Sequence, residues 1–408
     1  MGEQNRPIIT GISSQFTLSP AESPAMLGQK KSSMHIGIPK SEKSGEMRVP
    51  LTPTGVAALV YNGHQVSIES NAGQGARFSD HDYSEAGAVI AYDKEQVYKA
   101  QIILKMEPPF DTEINLLKPG HILISPIQLS TLKPEIVIDL IKKKVIALAF
   151  EYIKDDSGNF PFVRSMSEIA GDTAILIASE YLSQEHGGQG ILLGGISGVA
   201  PAKVVILGAG VVGEFAARTA LGLGADVRVF DNNIYKLMRL QNNIGHRVFT
   251  SILNQEVLFN EISTADVAVG AIHSDSGRSP VIVTEEMVSK MKAGSVIIDV
   301  SIDQGGVFET SVVTTHQKPV YRLHNVIHYC VPNIPSRVSG TASRAISNIL
   351  SPLLMKAGDL GGIDSLMHLS PFFRHGVYIY KGCLCNRYIS ERFGLKFTEL
   401  DLLFTSGL

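Results

Sequence analysis

The stretch Lys203-Val-Val-Ile-Leu-Gly-Ala-Gly-Val-Val-Gly213 constrains this chain more than any other. An apolar strand runs into a glycine triplet spaced G-x-G-x-x-G, and Phe215, Ala216, Thr219 and Ala220 continue at helical spacing. Gly208 permits a tight turn, Gly210 lets backbone approach a ligand, and Gly213 lets the helix pack on the strand. The emerging helix turns free N–H groups and a positive dipole end toward whatever lies over Gly210, Val211 and Val212, so the unit predicts a pyrophosphate site. Asp231 closes the next strand, 18 residues past Gly213. A carboxylate there accepts both ribose hydroxyls and repels a 2′-phosphate, which favours NAD over NADP.

Around this unit, short aliphatic runs alternate with helical segments. His35–Ile38, Val66–Glu69, Val89–Ala91, Ile102–Leu104, Ile122–Ile124 and Val145–Ala149 read as strands, with a helix from Pro53 to Asn62 among them. A long amphipathic segment, Ser167 to Gln184, and the glycine-rich 187–198 follow, and strands resume at Val204–Leu207, Val227–Phe230, Val267–Gly270, Val296–Val300 and Val320–Leu323. Alternation of this kind predicts an α/β protein with mostly parallel sheets. The expected architecture is two Rossmann-like doubly wound domains with a cleft between them. Residues 162–339 would form the NAD-binding domain, and 34–161 with 340–408 a discontinuous substrate domain, after an extension over 1–33. Beyond residue 340 the pattern predicts an apolar helix, Ala342–Met355, and an amphipathic basic one, Tyr380–Phe393.

Composition narrows the function classes. With 408 residues and 44% hydrophobic content the chain suffices for two cores. A formal net charge of −3 lacks the basic excess that nucleic acid requires. Three cysteines, Cys330, Cys383 and Cys385, make no disulfide framework and fit a reducing compartment, so a cytoplasmic location is expected. Cys383-x-Cys385 has too few neighbouring ligands for a zinc site, so no metal is expected. No uncharged apolar run reaches the roughly 18–20 residues of a membrane span.

Further stretches carry a resemblance: Gly37-Ile-Pro-Lys with Glu46-Met-Arg-Val-Pro-Leu-Thr-Pro53, Ile103-Leu-Lys105, Met166-Ser-Glu-Ile-Ala-Gly171, Gly194-Gly-Ile-Ser-Gly-Val-Ala-Pro201, and Val300-Ser-Ile-Asp-Gln-Gly-Gly306. Over roughly residues 34–400 the chain resembles the alanine dehydrogenase family, which includes the soluble nucleotide-binding subunit of proton-pumping transhydrogenase. The resemblance implies reversible NAD-dependent deamination of L-alanine to pyruvate and ammonia, in a homo-oligomer that is commonly a hexamer. It implies that Arg48 grips the substrate carboxylate, that Lys105 contacts a carboxylate or carbonyl oxygen, and that Asp303 handles water or ammonia at C2. It also implies that Ser167, Lys236, Ile272, His273, Asn333 and Ile334 line the cofactor. Read alone, Lys105 is also a solvated strand end, Asp303 an Asx turn, Ser167 an N-cap and Lys236 a surface lysine.

One departure bears on the chemistry. Where the family carries a histidine after the strand that begins at His121, this chain has Gln128. Glutamine donates or accepts hydrogen bonds but does not titrate near neutral pH. His273, on the cofactor side, is a candidate replacement. The departure leaves two other readings open: a transhydrogenase subunit passing hydride to a partner's NADP, and a non-catalytic NAD-binding protein.

Overall fold

The computed structural model describes residues 32–129, 131–274 and 277–405. Six strands come first: β1 (His35–Ile38), β2 (Gln65–Glu69), β3 (Val89–Ala91), β4 (Ile102–Leu104), β5 (Ile122–Ser125) and β6 (Ile146–Ala149). Seven follow the glycine-rich segment: β7 (Lys203–Leu207), β8 (Asp226–Phe230), β9 (Phe249–Ser251), β10 (Val267–Gly270), β11 (Val296–Asp299), β12 (Val320–Leu323) and β13 (Val326–Tyr329). The last two, β14 (Val377–Tyr380) and β15 (Cys383–Leu384), return to the first sheet.

The sheet orders are β15-β14-β6-β5-β4-β1-β2-β3 and β12-β13-β11-β10-β7-β8-β9. In each, strand order reverses beside the first strand, at β1/β4 and at β7/β10, which is where doubly wound sheets open a crevice at their carboxyl ends. Strands β4, β5, β6, β10, β11 and β13 are buried along their whole length. Their aliphatic runs show no alternation because helices cover both sheet faces.

The segment after residue 339 belongs with the first sheet. Its helix, Ser339–Asp359, packs against Pro53–Tyr61 and puts Ile346, Leu350 and Leu354 into the same core as Ile36, Ile38 and Leu104. Each such fully buried aliphatic side chain contributes about 1.5–3 kcal/mol. Polar contacts fix the register: Ser343 Oγ accepts Val49 N–H at 3.0 Å and Ser347 Oγ accepts Thr52 N–H at 3.1 Å. At Gly55 an added Cβ would lie 2.3 Å from Ser347 Oγ, so only glycine lets the two helices approach this closely.

Several elements differ from expectation. The long helix spans Pro161–Tyr181, starting with proline in its first turn, so Ser167 lies inside it and is not an N-cap. β13 and β9 went unread, β9 because three partly exposed residues carry little pattern. The Tyr380–Phe393 helix is instead the hairpin β14–β15 followed by a helix at Arg387–Phe393; Lys381 and Gly382, both at positive φ, turn the chain.

Candidate active site

The candidate residues gather at the carboxyl ends of strands from both sheets. Lys43 and Arg48 follow β1, Lys105 follows β4, Gln128 follows β5 and Glu151 follows β6. From the other side, Gly208–Gly213 follows β7, Asp231 β8, Ile272 and His273 β10, Asp303 β11, and Asn333 and Ile334 β13. Two expected residues stand elsewhere: Ser167 in the helix Pro161–Tyr181, and exposed Lys236 in the first turn of Ile234–Ile244.

The glycine loop has the geometry its spacing demands. Gly208 adopts φ +115° against the Ala271 carbonyl, and a Cβ at Gly213 would fall 1.9 Å from Gly208 O. A Cβ at Gly210 would meet nothing within 4 Å, so that face lies open beside the start of the helix Val211–Gly222, whose N-cap Gly210 offers no side-chain acceptor. Asp231 binds the same loop: its Oδ2 accepts Ala209 N–H at 2.8 Å and its Oδ1 accepts Asn233 N–H at 2.7 Å. A groove lined by Asp231, Asn232, Asn233, Ile234 and Tyr235 continues from it. Open backbone donors at a helix N-terminus beside the Asp231 carboxylate fit a dinucleotide.

Asp303 sits on a short 3-10 turn, Val300–Gln304, closed by Gly305 and Gly306 at φ +99° and +84°. Buried Asp299 holds the turn, accepting Ser301 N–H at 3.1 Å, Val307 N–H at 2.9 Å and Ser311 Oγ–H at 2.6 Å. Gln304 exchanges two hydrogen bonds with Ser274, at 2.8 and 3.1 Å, and Ser301 Oγ accepts Ile272 N–H at 3.0 Å. The Ile272–His273 loop and Asp303 are therefore one unit, with His273 exposed. Crowding by protein pushes the Asp303 carboxyl up to about 6, against the Asn333 N–H and the charges of Arg48 and Lys43. The residue is nonetheless open to water along the cleft, which softens that push.

Opposite, the cations expected to face substrate have partners of their own. Glu46, a residue the sequence reading passed over, takes Arg48 Nε at 2.8 Å and Nη2 at 2.6 Å, a bidentate pair. Glu46 also accepts Asn333 Nδ2–H at 3.0 Å, and Ser336 Oγ accepts Met47 N–H at 2.9 Å, so the Arg48 loop is pinned to the segment after β13. Lys105, 2% exposed, places its ammonium 2.5 and 2.6 Å from the two oxygens of Glu113 and 3.6 Å from Glu107. Burial alone would raise Glu113, but Lys105, the Phe110 N–H and Lys94 hold its carboxyl below the usual range. Lys105 thus has a charged buried partner competing with any substrate oxygen, although it lines one small crevice with Arg48, Ser41 and Glu107.

Gln128 stands at φ +48°, a left-handed conformation that glutamine seldom adopts. Glu151 Oε1 braces it, accepting Ile127 N–H at 2.7 Å and Gln128 N–H at 3.4 Å. Glu151 Oε2 is buried without a hydrogen-bond partner, and desolvation pushes this carboxyl up to about 7. The Gln128 side chain reaches Lys43, whose Nζ donates to Oε1 at 2.9 Å. Lys43 and Glu151 also escaped the sequence reading, since neither has a local signature. Among the described residues, no group of three or more His, Cys, Asp or Glu has the arrangement of a metal site, and no helix is long and apolar enough to cross a membrane.

Two doubly wound sheets meeting at their carboxyl ends, one with a dinucleotide loop and the other with charged side chains facing an aspartate, define a two-domain, dinucleotide-dependent dehydrogenase. The family description "Alanine dehydrogenase/PNT, N-terminal domain" matches residues 37–170, and "Alanine dehydrogenase/PNT, C-terminal domain" matches 174–387. The chain belongs to this alanine dehydrogenase and pyridine nucleotide transhydrogenase family. It is 38% identical over 369 residues to alanine dehydrogenase 2 of Staphylococcus aureus strain USA300, an alignment spanning 90% of this chain and 99% of that one. A solved L-alanine dehydrogenase superposes with a TM-score of 0.83 at 35% identity, covering 88% of this chain and 99% of that one. A transhydrogenase from Sinorhizobium meliloti superposes at 0.74 with 22% identity over 86% and 99%, and so shares the fold alone.

Proposed function

We propose that this protein is an NAD-dependent alanine dehydrogenase, interconverting L-alanine with pyruvate and ammonia. The observation that carries the reading is the placement of Asp303, whose carboxyl is raised to about 6, directly across from the Arg48 and Lys43 side of the cleft. NAD, when bound, supplies the hydride acceptor. The open face at Gly210 and the N-terminus of Val211–Gly222 would hold its pyrophosphate. Asp231 would take the ribose hydroxyls and disfavour a 2′-phosphate, and Ile272, His273, Asn333 and Ile334 would flank the nicotinamide half, with Ser167 and Lys236 at its margins.

Within the cleft, Arg48 orients the carboxylate of the substrate. Its pairing with Glu46 fixes the guanidinium plane and sets a carboxylate in competition with the substrate's. Lys105 supports the same wall. Asp303 takes up and returns a proton at the nitrogen or water oxygen attacking C2, and a carboxyl near 6 exchanges protons readily at neutral pH. Gln128 contributes a fixed hydrogen bond where a titrating group is absent. Oxidation of NADH that depends on both pyruvate and ammonium tests the reading; absence of turnover with every small 2-oxo acid overturns it.

The reading includes a homo-oligomer, a hexamer by family likeness, in a reducing cytoplasm that suits three free cysteines. Exposed Leu192, Ile196 and Val199 lie on the glycine-rich loop, and Gly194 of that loop packs against exposed Leu223. Such a patch gains from being covered by a second copy. Light scattering that finds a monomer at micromolar concentration rejects this part.

A further inference from the structure

The charges around the substrate side of the cleft are not equally free. Arg48 forms a bidentate pair with Glu46, whose side chain is 1% exposed, and Lys105 is enclosed between Glu113 and Glu107. Lys43 differs. It is exposed to the cleft, its ammonium meets the neutral amide of Gln128, and among the described residues no carboxylate lies within ion-pair distance of it. Its field reaches Asp303, as does that of Arg48.

The contact between Lys43 and Gln128 is held from both ends. Glu107 accepts the N–H groups of Glu42 at 2.9 Å and Lys43 at 3.0 Å through its two oxygens, and Lys105 stands behind it. Glu151 accepts the N–H groups of Ile127 and Gln128, supporting a left-handed backbone that costs on the order of 1–3 kcal/mol unless its surroundings impose it. Two carboxylates, one after β4 and one after β6, thus fix the two partners. An ammonium only donates, so the amide oxygen must face Lys43 and the amide NH2 is left to other acceptors. Lys43 keeps further N–H donors beyond the one it gives to Gln128, and the amide NH2 adds a neutral donor to the pair.

We propose that Lys43 is the cation that captures the substrate's carboxylate, with the amide of Gln128 locked beside it as a donor to the neighbouring oxygen. This rests on the oxo-acid reading above and names a residue of that site. A 2-oxo acid, with adjacent carboxylate and carbonyl oxygens, matches two adjacent donors, one charged and one neutral. In this arrangement Arg48 orients, Lys105 and Glu107 build the wall, and the charge that attracts substrate comes from Lys43.

The test uses the full-length protein and two probes: pyruvate with ammonium in NADH oxidation, and oxamate binding to the NADH complex followed by NADH fluorescence. Lys43→Ala should raise the KM for pyruvate and the Kd for oxamate about 10- to 100-fold, the loss expected for one hydrogen bond to a charged group. Its NADH affinity and thermal midpoint should stay near those of the parent, and Lys43→Arg should recover most of the loss. KM and oxamate Kd within twofold of the parent in Lys43→Ala would overturn the proposal. If the parent turns over no 2-oxo acid but binds oxamate, the dehydrogenase reading fails while the effect of Lys43→Ala on oxamate still decides this one. A parent that neither turns over 2-oxo acids nor binds oxamate overturns both.

Discussion

The two edges that face each other across the cleft are built from opposite materials. On the β7 side the surface is backbone: a glycine with open space above it, a helix start without a side-chain cap, and one carboxylate tying the loop together. On the β1 side it is charged side chains, and most of the charge is answered from within: Glu46 answers Arg48, and Glu113 with Glu107 answers Lys105. A backbone site works by shape and needs nothing from distant residues. A charged site must first solve its own electrostatics, because isolated ions in a low-dielectric interior cost more than their attraction for a ligand returns.

The largest effect should come from the group that belongs to neither material and stands between them. Asp303→Asn keeps the shape of the turn and removes the proposed proton acceptor, so kcat for pyruvate-dependent NADH oxidation should fall by about 10²–10⁴ while the Kd for NADH is unchanged. Retained turnover in that variant would mean that proton transfer is handled elsewhere. Next comes the internal pairing of the first edge. Lys105→Ala leaves Glu107 buried without a cation and Glu113 with Lys94 alone, which should destabilise the fold by about 3–5 kcal/mol in denaturant titration. Unaltered stability, with only the substrate KM raised, would return Lys105 to the role of a substrate ligand.

Two glycines sharpen the contrast on the other edge. Gly213→Ala drives a Cβ to 1.9 Å from the Gly208 carbonyl oxygen, backbone that cannot yield, and should lower the thermal midpoint. Gly210→Ala meets nothing in the protein and should leave the midpoint alone, yet weaken NADH binding about tenfold by intruding on the pyrophosphate. If both variants lose stability equally, the open face at Gly210 is structural and not a binding surface.

The smallest effect is a pH dependence at Glu151. Its carboxyl titrates near 4.5 in the unfolded chain and at about 7 in the fold, so between those values the folded state binds the extra proton. Stability should therefore decline as pH rises from 4.5 to 7 and level off above it. Tyr152 and Tyr378, which face Glu151, have hydroxyls raised by burial and stay neutral throughout this range. Glu151→Gln should flatten the decline; an unchanged slope would assign it to other groups.

Much of the architecture was legible from the residues alone. β1, β3, β4 and β10 fall where aliphatic runs predict them; for β4 and β10 the reason is that a strand covered on both faces by helices must be apolar throughout. The hairpin at Val377–Leu384 was missed because short antiparallel strands at a sheet edge leave too few residues for a period, and its second half was absorbed into the amphipathic basic helix expected over Tyr380–Phe393. Within the site, the glycine loop and Asp231 could be named from spacing and motif, and Asp303 from the family resemblance. Glu46, Lys43 and Glu151 could not.

The reason is the range of the forces involved. A glycine is required by the φ of its own residue or by a carbonyl a few residues away, as at Gly208 and Gly213, so local sequence settles it. Whether a lysine or arginine is available to a ligand depends on which carboxylates reach it, and those come from anywhere in the chain. Lys43 meets Gln128 across 85 residues, and Asn333 meets Glu46 across 287. The sequence by itself determined that a dinucleotide loop and an aspartate-bearing turn would exist; only the folded chain decided which of the cations beside them stands against a carboxylate.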